Sequence, residues 1–154
     1  MPTQGSFTDF MSALEALHQQ VQAALVGQLP LRVYRWRPVM IPELPAIYPW
    51  ISQSPFEVKA TSGLVEDTVN VRARVAAAHV DGVQDGATLE LIIDAYRLVV
   101  DTALYLPTRS PFAGVAKVVD RTGMQNVVDR FNDIPVLCME FPLQAQLSRI
   151  LIAP

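Results

Sequence analysis

A long alternation of apolar and polar side chains runs from residue 65 to residue 79. One side of it carries Val65, Val69, Val71, Ala73, Val75 and Ala77, and the other carries Glu66, Thr68, Asn70, Arg72 and Arg74. A two-residue repeat is typical of a strand with two unlike faces. The pattern predicts a strand far longer than the usual length of about 5 to 6 residues. Such a strand should project beyond its sheet or curve around it.

A different spacing, of three and four residues, predicts an amphipathic helix over residues 6–27. The positions that share its apolar face are Phe7, Phe10, Met11, Leu14, Leu17, Val21 and Leu25. Ser6 or Thr8 can cap the start of this helix, and Gly27 followed by Pro30 should end it.

A second helix is predicted over residues 88–106, with Asp85 or Thr88 as its cap. Its only charges are Glu90, Asp94, Arg97 and Asp101, which line up along one edge and suggest ion pairs between Arg97 and its acidic neighbours. The remaining apolar positions need cover: Leu89, Leu91, Ile92, Ile93, Tyr96, Leu98, Val99, Val100 and Leu104. Together with the long strand, this helix offers more apolar surface than one small domain easily covers.

Prolines interrupt the region between the first helix and the long strand. Six of the twelve prolines fall between Pro30 and Pro55, and each removes a backbone donor. Residues 31–37 alternate as a strand does, whereas residues 44–51 suit an edge strand or an extended arm. We therefore expect a proline-rich extended arm at about residues 38–56.

Further strands are predicted at residues 56–60, 115–122 and 135–143, while residues 124–133 are ambiguous. The apolar tail from residue 144 onward should dock on another surface. Segregated strands with two helices indicate a single α+β domain over residues 1–154. In it a mainly antiparallel sheet carries a long N-terminal helix and one long central helix on one face.

Composition changes this picture in one respect. Hydrophobic residues make up 51 % of the 154 residues and charged residues only 18 %, against about 25 % charged in an average soluble domain. Fewer charges are available to cover the outside, which favours burial between subunits. The net charge is -3, and the acidic and basic residues are interspersed along the chain. The sequence thus lacks the clustered basic residues of a duplex-binding protein.

Residue types that carry catalysis are few and scattered. His18 lies on the apolar side of the first helix and is interpreted as a core histidine, and His79 as a rim residue. Cys138 stands where a small buried hydrophobe would. No metal spacing, nucleophile turn or phosphate-binding glycine loop occurs. The sequence therefore predicts a protein that is not an enzyme and has no cofactor or metal.

Carboxylates near arginines form the remaining candidates for acid-base chemistry. Glu66, Glu140, Asp120 and Asp129 are interpreted as surface ion pairs with arginines, and an arginine directly follows each of the two aspartates. No basic stretch followed by an apolar run begins the chain, and no segment suits a membrane span. We therefore expect the protein to be made in a reducing cytoplasm.

The best candidates for contact residues lie on the arm and on the polar side of the long strand. Tyr48, Trp50 and Phe56 are aromatic anchors of the kind that recur at protein interfaces. Arg72 and Arg74 either lie on an ordinary solvated face or pair with carboxylates of a neighbouring subunit. The carboxylates in question are Glu140 and Glu66, which complete the set of interface candidates.

The layout of the whole chain resembles a known family. A helix precedes Leu31-Arg-Val-Tyr-Arg-Trp-Arg-Pro38, and an extended stretch ends in Pro45-Ala-Ile-Tyr-Pro49. A long strand, a single long helix and Ile134-Pro-Val-Leu-Cys-Met-Glu-Phe-Pro142 follow. This resembles the tail-terminator proteins, also called minor tail or tail-completion proteins, of long-tailed bacteriophages, particularly those of actinobacterial hosts.

The resemblance implies a structural virion protein that forms a hexameric ring at the head-proximal end of the tail. Such a ring ends polymerisation of the tail tube, joins the head connector and lets DNA pass without specific binding. Loops at residues 40–55, 80–87 and 108–114 would dock on tube and connector. Two alternatives stay open: another head-tail ring component (head-closure, neck or tube subunit), or a small-ligand binding domain or enzyme with a pocket under the second helix that gathers His79 and Asp81.

Overall fold

The structure is a computed structural model of the chain. It describes residues 6–40, 42–61, 63–79, 86–121 and 123–150, of which 52–61, 64, 79, 107, 119–121, 149 and 150 are described for their backbone only. The helices are α1 (Phe7–Ala24) and α2 (Gly86–Tyr105), with a short 3-10 turn at Pro107–Arg109. The strands are β1 (Arg32–Val33), β2 (Ala46–Thr61), β3 (Leu64–His79), β4 (Lys117–Arg121), β5 (Gln125–Phe131) and β6 (Ile134–Ile150).

The predicted class is confirmed, because the chain folds as two helices and a mostly antiparallel, curled sheet. The strand order is β1-β2-β3-β6-β4, and β5 also pairs with β6. The pairing of β1 with β2 is parallel, and the other pairings are antiparallel. The strand β3 is the predicted long strand, and it runs between β2 and β6 from Leu64 to Ala76.

The first helix starts where the sequence predicted and ends three residues earlier. Ser6 caps it through a reciprocal pair of hydrogen bonds: the Asp9 N–H donates to Ser6 Oγ at 3.0 Å, and the Ser6 N–H donates to Asp9 Oδ2 at 3.3 Å. Gly27 adopts a φ of 83° just beyond the helix end. That conformation is open to glycine and costly for most other residues.

Both helices pack on one side of the sheet, which we call the helix face. The main core lies between the two helices and the sheet. It contains Phe10, Leu14, Leu17, Ile92, Tyr96, Val71, Val75, Phe141 and Leu143. The register of β3 and β6 explains which of their residues belong to this core, since Ala73 lies opposite Phe141 and Val71 opposite Leu143. The predicted alternation of β3 therefore decides which side chains the helices cover.

The opposite side of the sheet, which we call the outer face, carries a second and smaller core. Its buried members are Tyr48, Ala76, Phe131, Val136 and Cys138. Tyr48 on β2 donates to Asp129 on β5 at 2.6 Å, although β3 and β6 lie between those strands. Neighbouring strands are about 4.8 Å apart, so a flat sheet would separate β2 and β5 by about 14 Å. The sheet curls over its outer face to bring them together.

Of the two alternatives for residues 44–51, the edge strand is confirmed, and the extended arm over residues 38–56 is not formed from residue 46 onward. Residues 46–61 form β2, which pairs with β3 on either side of a register shift, and among the described residues only Ala46 and Ile47 have a strand partner on the other side. Pro49 thus lies on an open edge, and Pro55 lies in the register shift between Ile51 and Phe56. Edge positions and irregularities tolerate the missing donors, so a count of prolines did not exclude the strand.

Three other expectations change in the same region and at the C-terminal end. Residues 31–37 give only the short β1, because Arg35 turns toward α1 and donates to Ser12 Oγ at 2.9 Å. The ambiguous residues 124–133 form β5, and the apolar tail continues β6 to Ile150. The tail docks by pairing with β3, where its backbone donors and acceptors are satisfied.

Candidate functional site

Strand alternation gathers polar residues on the outer face. Arg72 and Arg74 of β3 point there, and Arg74 lies opposite Glu140 of β6 and Tyr48 of β2 in the strand register. We define the outer-face cluster as Arg37, Tyr48, Trp50, Arg72, Arg74, Asp129, Cys138 and Glu140. It is the most extensive polar network among the side chains that the structure describes.

Glu140 is the buried acceptor at one end of the outer-face cluster, with 0 % of its surface exposed. Arg72 donates to it at 2.7 Å, Arg74 at 2.8 Å and Gln125 at 2.9 Å. Burial alone would raise the pKa of Glu140, but the hydrogen bonds from Arg74 and Gln125 outweigh it and hold that pKa below its usual value. The carboxylate is therefore ionised at neutral pH and fully committed to its partners.

Asp129 is the acceptor at the other end. Arg37 donates to its two oxygens at 3.0 and 2.9 Å, Tyr48 donates at 2.6 Å, and the Arg130 N–H donates at 2.8 Å. Burial raises the pKa of this carboxyl, and the bonds from Arg37 and Tyr48 lower it further than burial raises it. Arg74 lies 3.4 Å from Asp129 and so bridges the two carboxylates.

Aromatic rings enclose the guanidinium groups. Arg74 lies over the Trp50 ring at 3.8 Å from its centroid, and Arg37 lies over Phe131 at 4.4 Å. Tyr48 meets Phe131 edge to face, with centroids 6.0 Å apart. Contacts of a cation with a ring face are favourable, more so when water is excluded. The rings therefore hold the arginines in place from the sides while the carboxylates bind their ends.

Tyr48 and Cys138 are in contact inside the outer-face cluster, with oxygen and sulfur 3.6 Å apart. Burial raises the pKa of the Cys138 thiol. Burial, together with the bond to Asp129, also raises the pKa of Tyr48. Both groups stay protonated at neutral pH, and a protonated thiol is a poor nucleophile. The prediction that Cys138 behaves as a buried hydrophobe is confirmed.

The charge of the outer-face cluster is not balanced at its surface. Three arginines share two carboxylates, and both carboxylates are buried. The Arg72 side chain is 48 % exposed and the Arg37 side chain 31 % exposed. Solvent and any partner therefore meet a cationic, aromatic surface made of Arg72, Arg37 and the half-buried Trp50.

Five of the seven predicted interface residues come together in this cluster: Tyr48, Trp50, Arg72, Arg74 and Glu140. Arg72 and Arg74 both bind Glu140 of their own chain, whereas their alternative pairing with a carboxylate of a neighbouring subunit stays a prediction. Tyr48 is fully buried within one chain, so its ring is not an exposed anchor.

The remaining predictions on carboxylates and aromatic residues have different outcomes. Glu66 lies farther along the outer face, where Gln146 donates to it at 3.2 Å. The interpretation of Glu140 and Asp129 as surface ion pairs is wrong, because the curled sheet buries both. The side chains of Phe56, His79 and Asp120, and all of Asp81, lie outside the described residues.

Sequence reasoning missed Arg37 and Asp129 as members of this cluster. A usable signal for Asp129 was present, because Asn132 and Asp133 are two turn-forming residues between two possible strands and so indicate a hairpin. In the first strand of that hairpin, Asp129 lies on the same face as Val127 and Phe131. Asn132 and Asp133 have φ values of 50° and 65°. Arg37 carried no comparable signal, because it reaches its partner across 92 residues of chain.

A second surface feature is an apolar ridge on the solvent side of α2. Leu91, Leu98 and Tyr105 are 38 %, 66 % and 75 % exposed, and their spacing of seven residues aligns them along the helix. The predicted ion pairs of Arg97 are not formed, since Arg97 makes no salt bridge within the described part of the chain. The expectation that α2 keeps apolar side chains in need of cover applies to this ridge.

A cavity of about 330 Å³ lies under α2. It is lined by Ile93, Tyr96, Arg97, Gly123, Met124, Phe141 and Pro142. Tyr96 and Phe141 stack with centroids 4.1 Å apart at its wall. The lining is apolar apart from Arg97, and the volume is at the lower end of the range of about 300 to 1,000 Å³ for small-molecule sites.

His18 is completely buried, and neither ring nitrogen has a hydrogen-bond partner in the described structure. Burial lowers its pKa from 6.5 to about 3. The prediction of a core histidine is therefore confirmed.

The described residues contain no cluster of metal-ligating side chains and no helix that could span a membrane. No group of three or more histidine, cysteine or acidic side chains gathers there, and neither described helix is long and apolar enough to cross a membrane. Among known proteins, no family model and no curated protein matches this sequence.

Proposed function

We propose that the protein is a structural subunit of a ring at the head-proximal end of a bacteriophage tail. In this role it ends polymerisation of the tail tube and joins the tail to the head connector, while DNA passes through the ring. The proposal starts from the resemblance in chain layout to tail-terminator proteins. Three features of the fold support it.

The exposed ridge Leu91, Leu98 and Tyr105 is the observation that carries the proposal. Exposed apolar side chains that occur singly are ordinary, whereas three that recur every seven residues along one side of a helix suit a contact surface. The chain is also poor in charged residues, at 18 %. A second copy of the chain would supply the cover that one copy lacks.

The lengths of the elements give the second support. The strands β2, β3 and β6 have 16, 16 and 17 residues, and α1 and α2 have 18 and 20. At ordinary rises these strands extend about 50 Å and the helices about 27 to 30 Å. Helices of that length leave part of the long sheet without helical cover. An uncovered part of the sheet is what contact with neighbouring subunits would require.

The third support is the chemistry of the outer-face cluster. Its carboxylates are saturated by hydrogen bonds and have lowered pKa values, so neither is poised near neutral pH as a general base. The same bonds tie β2, β3, β5 and β6 and the segment after β1 into one unit. A rigid scaffold suits a subunit that serves as a structural part.

Native mass spectrometry and negative-stain microscopy test the proposal directly. The purified protein should form a closed ring, with six copies expected from the resemblance. Mixed with polymerising tail-tube protein, it should shorten the tubes and lie at one end of each. A tube-free dilution series is the matched control for concentration. A chain that stays monomeric at high concentration beside tube protein, with tubes of unchanged length, would refute the proposal.

The cavity under α2 favours a second candidate function, the binding of a small molecule that has an apolar ring and one anionic group. Aromatic walls of Tyr96 and Phe141 with Arg97 at the lining suit an aromatic carboxylate or sulfonate. An anionic naphthalene dye should bind with enhanced fluorescence, and Arg97→Gln should weaken that binding at least threefold. Equal binding by the wild type and by a Gly123→Phe variant that fills the cavity would remove this candidate.

A further inference from the structure

We infer that the α2 ridge of one copy docks on the outer-face cluster of the next copy, in a head-to-tail contact. This inference rests on the proposed function, because it names the two surfaces through which such a ring would close. The argument uses the charge, composition and placement of the two surfaces. It does not depend on how many copies the ring contains.

The ridge is flanked by negative charge. Glu90 and Asp94 are exposed beside Leu91 and Leu98, and Asp101 continues the same row along the helix. Arg97 is the one cation of α2, so the helix carries three acidic groups and one basic group. An apolar row with an acidic margin calls for a partner that offers apolar area beside cations.

The outer-face cluster offers that combination. Trp50 presents a large half-buried ring, and Arg72 presents a guanidinium whose carboxylate partner Glu140 is buried beneath it. Tryptophan and arginine are the residue types that contribute most at protein interfaces. Arg72 has donors beyond the one bound to Glu140, since a guanidinium carries five. An acidic side chain of another copy can accept from them.

The placement of the two surfaces decides between the possible symmetries. The ridge lies on the solvent side of a helix that packs on the helix face, and the outer-face cluster lies on the opposite face of the sheet. Two different patches on opposite sides give a heterologous contact, which forms a ring when the rotation from one copy to the next closes. Pairing of two α2 ridges in an isologous dimer would instead bring acidic margins together, at a cost from like-charge repulsion.

Two variants, each defective in one surface, test the inference. Leu98→Glu places a charge in the middle of the ridge, and Arg72→Gln removes the exposed cation while keeping a donor near Glu140. Each variant alone should associate at least tenfold more weakly than the wild type in analytical ultracentrifugation. Trp50→Ala provides a second outer-face variant, and circular dichroism shows whether each variant is folded.

Mixing the two variants gives the decisive measurement. A head-to-tail contact leaves one intact surface on each variant, so the mixture should form a one-to-one dimer that neither variant forms alone and should stop there. Val26→Glu and Arg32→Gln are matched controls. They change an equally exposed apolar residue and an exposed arginine ion-paired to Glu43, both outside the two surfaces. Both controls should assemble as the wild type does.

The outcomes separate this inference from the proposed function. Rings that persist in Leu98→Glu and in Arg72→Gln would overturn the docking of these two surfaces and leave a ring subunit standing. Loss of assembly in Leu98→Glu alone, with no dimer on mixing, would indicate contact between ridges and would also overturn the inference. A wild type that is monomeric under all conditions would overturn both.

Discussion

At the scale of single residues, burial acts on His18 and on the carboxylates of the outer-face cluster with different results. Glu140 and Asp129 keep their charge, because donors compensate them for lost water. His18 has no such donor or acceptor and is held neutral. The fold therefore contains two compensated charges on the outer face and one suppressed charge on α1.

Acid should destabilise the protein through His18. Its pKa is about 3 when folded and 6.5 when exposed, so between these values the unfolded chain binds a proton that the folded chain does not. The free energy of unfolding should then fall by about 1.4 kcal/mol per pH unit below pH 6.5, or about 2 kcal/mol by pH 5. Urea unfolding at pH 7, 6 and 5 measures this fall in the free energy of unfolding.

The control for this prediction is His18→Leu, which keeps the volume and removes the titration. Its free energy of unfolding should be nearly flat between pH 7 and pH 5. The effect of the carboxylates can be told apart from that of His18, because it occurs in a different pH range. Their pKa values are lowered in the folded state, so the stability that they contribute is lost only as pH falls below the ordinary carboxyl range. An equal slope in both proteins would contradict the assignment to His18.

Removal of the charge on Glu140 should be costly. In Glu140→Gln, the largely buried Arg74 loses its charged partner at 2.8 Å and keeps only the longer contact with Asp129 at 3.4 Å. We expect a loss of about 3 kcal/mol in the free energy of unfolding, as for other broken buried ion pairs. The matched change Glu43→Gln breaks the exposed pair with Arg32 at 2.9 Å and should leave stability within error of the wild type. Similar losses in the two variants would show that burial of Glu140 is unimportant.

At the scale of elements, the turn between β5 and β6 sets the alignment of these two strands. Asn132 and Asp133 both have positive φ, as a tight two-residue hairpin turn requires. Asparagine tolerates this conformation better than most residues do, and glycine is preferred at the second position. The turn aligns β5 on β6 and so brings Asp129 under Arg37.

Asp133→Gly should therefore raise the free energy of unfolding by about 0.5 to 1 kcal/mol, because it relieves a left-handed conformation. The matched control is Asn126→Gly in the interior of β5, where glycine should lower stability by about the same amount. Thermal unfolding followed by circular dichroism distinguishes the two. A lower melting temperature in Asp133→Gly would contradict the importance of the turn.

At the scale of the whole molecule, β3 and β6 form the centre on which both cores are built. Each has neighbours on both sides over much of its length, and each contributes one face to the main core and the other to the outer-face core. Pro142 lies on β6 where the neighbour changes from β5 to β4, and none of the described residues of these two strands pairs with it. A proline is tolerated there for the same reason as at an edge.

Amide hydrogen exchange tests this organisation. The amides of residues 69–76 and 138–141 should exchange slowest, because their opening requires global unfolding. Amides of β1 and β4 should exchange faster, since both strands are short and lie at edges. If β1 and β4 were as protected as the centre of β3, the sheet would have additional cover, and a concentration series would show whether another copy supplies it.

The sequence by itself determined the periodicities. The two-residue repeat of β3, the three-and-four spacing of α1, the Ser6 cap and the apolar surplus of α2 were all readable, because each depends on residues within a few positions of one another. Burial of Cys138 and His18 followed from their apolar neighbours. These local features were sufficient for the α+β class and for the two faces of β3.

Tertiary structure decided which strands pair and how the sheet curls. The proline-containing residues 46–61 became β2 because β3 offers a free edge, and the outer-face cluster formed because curling brings Tyr48 within 2.6 Å of Asp129. Arg37 and Asp129 are 92 residues apart, and nothing near either residue indicates the other. Strand partners are chosen by the free energy of the whole fold, which local patterns do not contain.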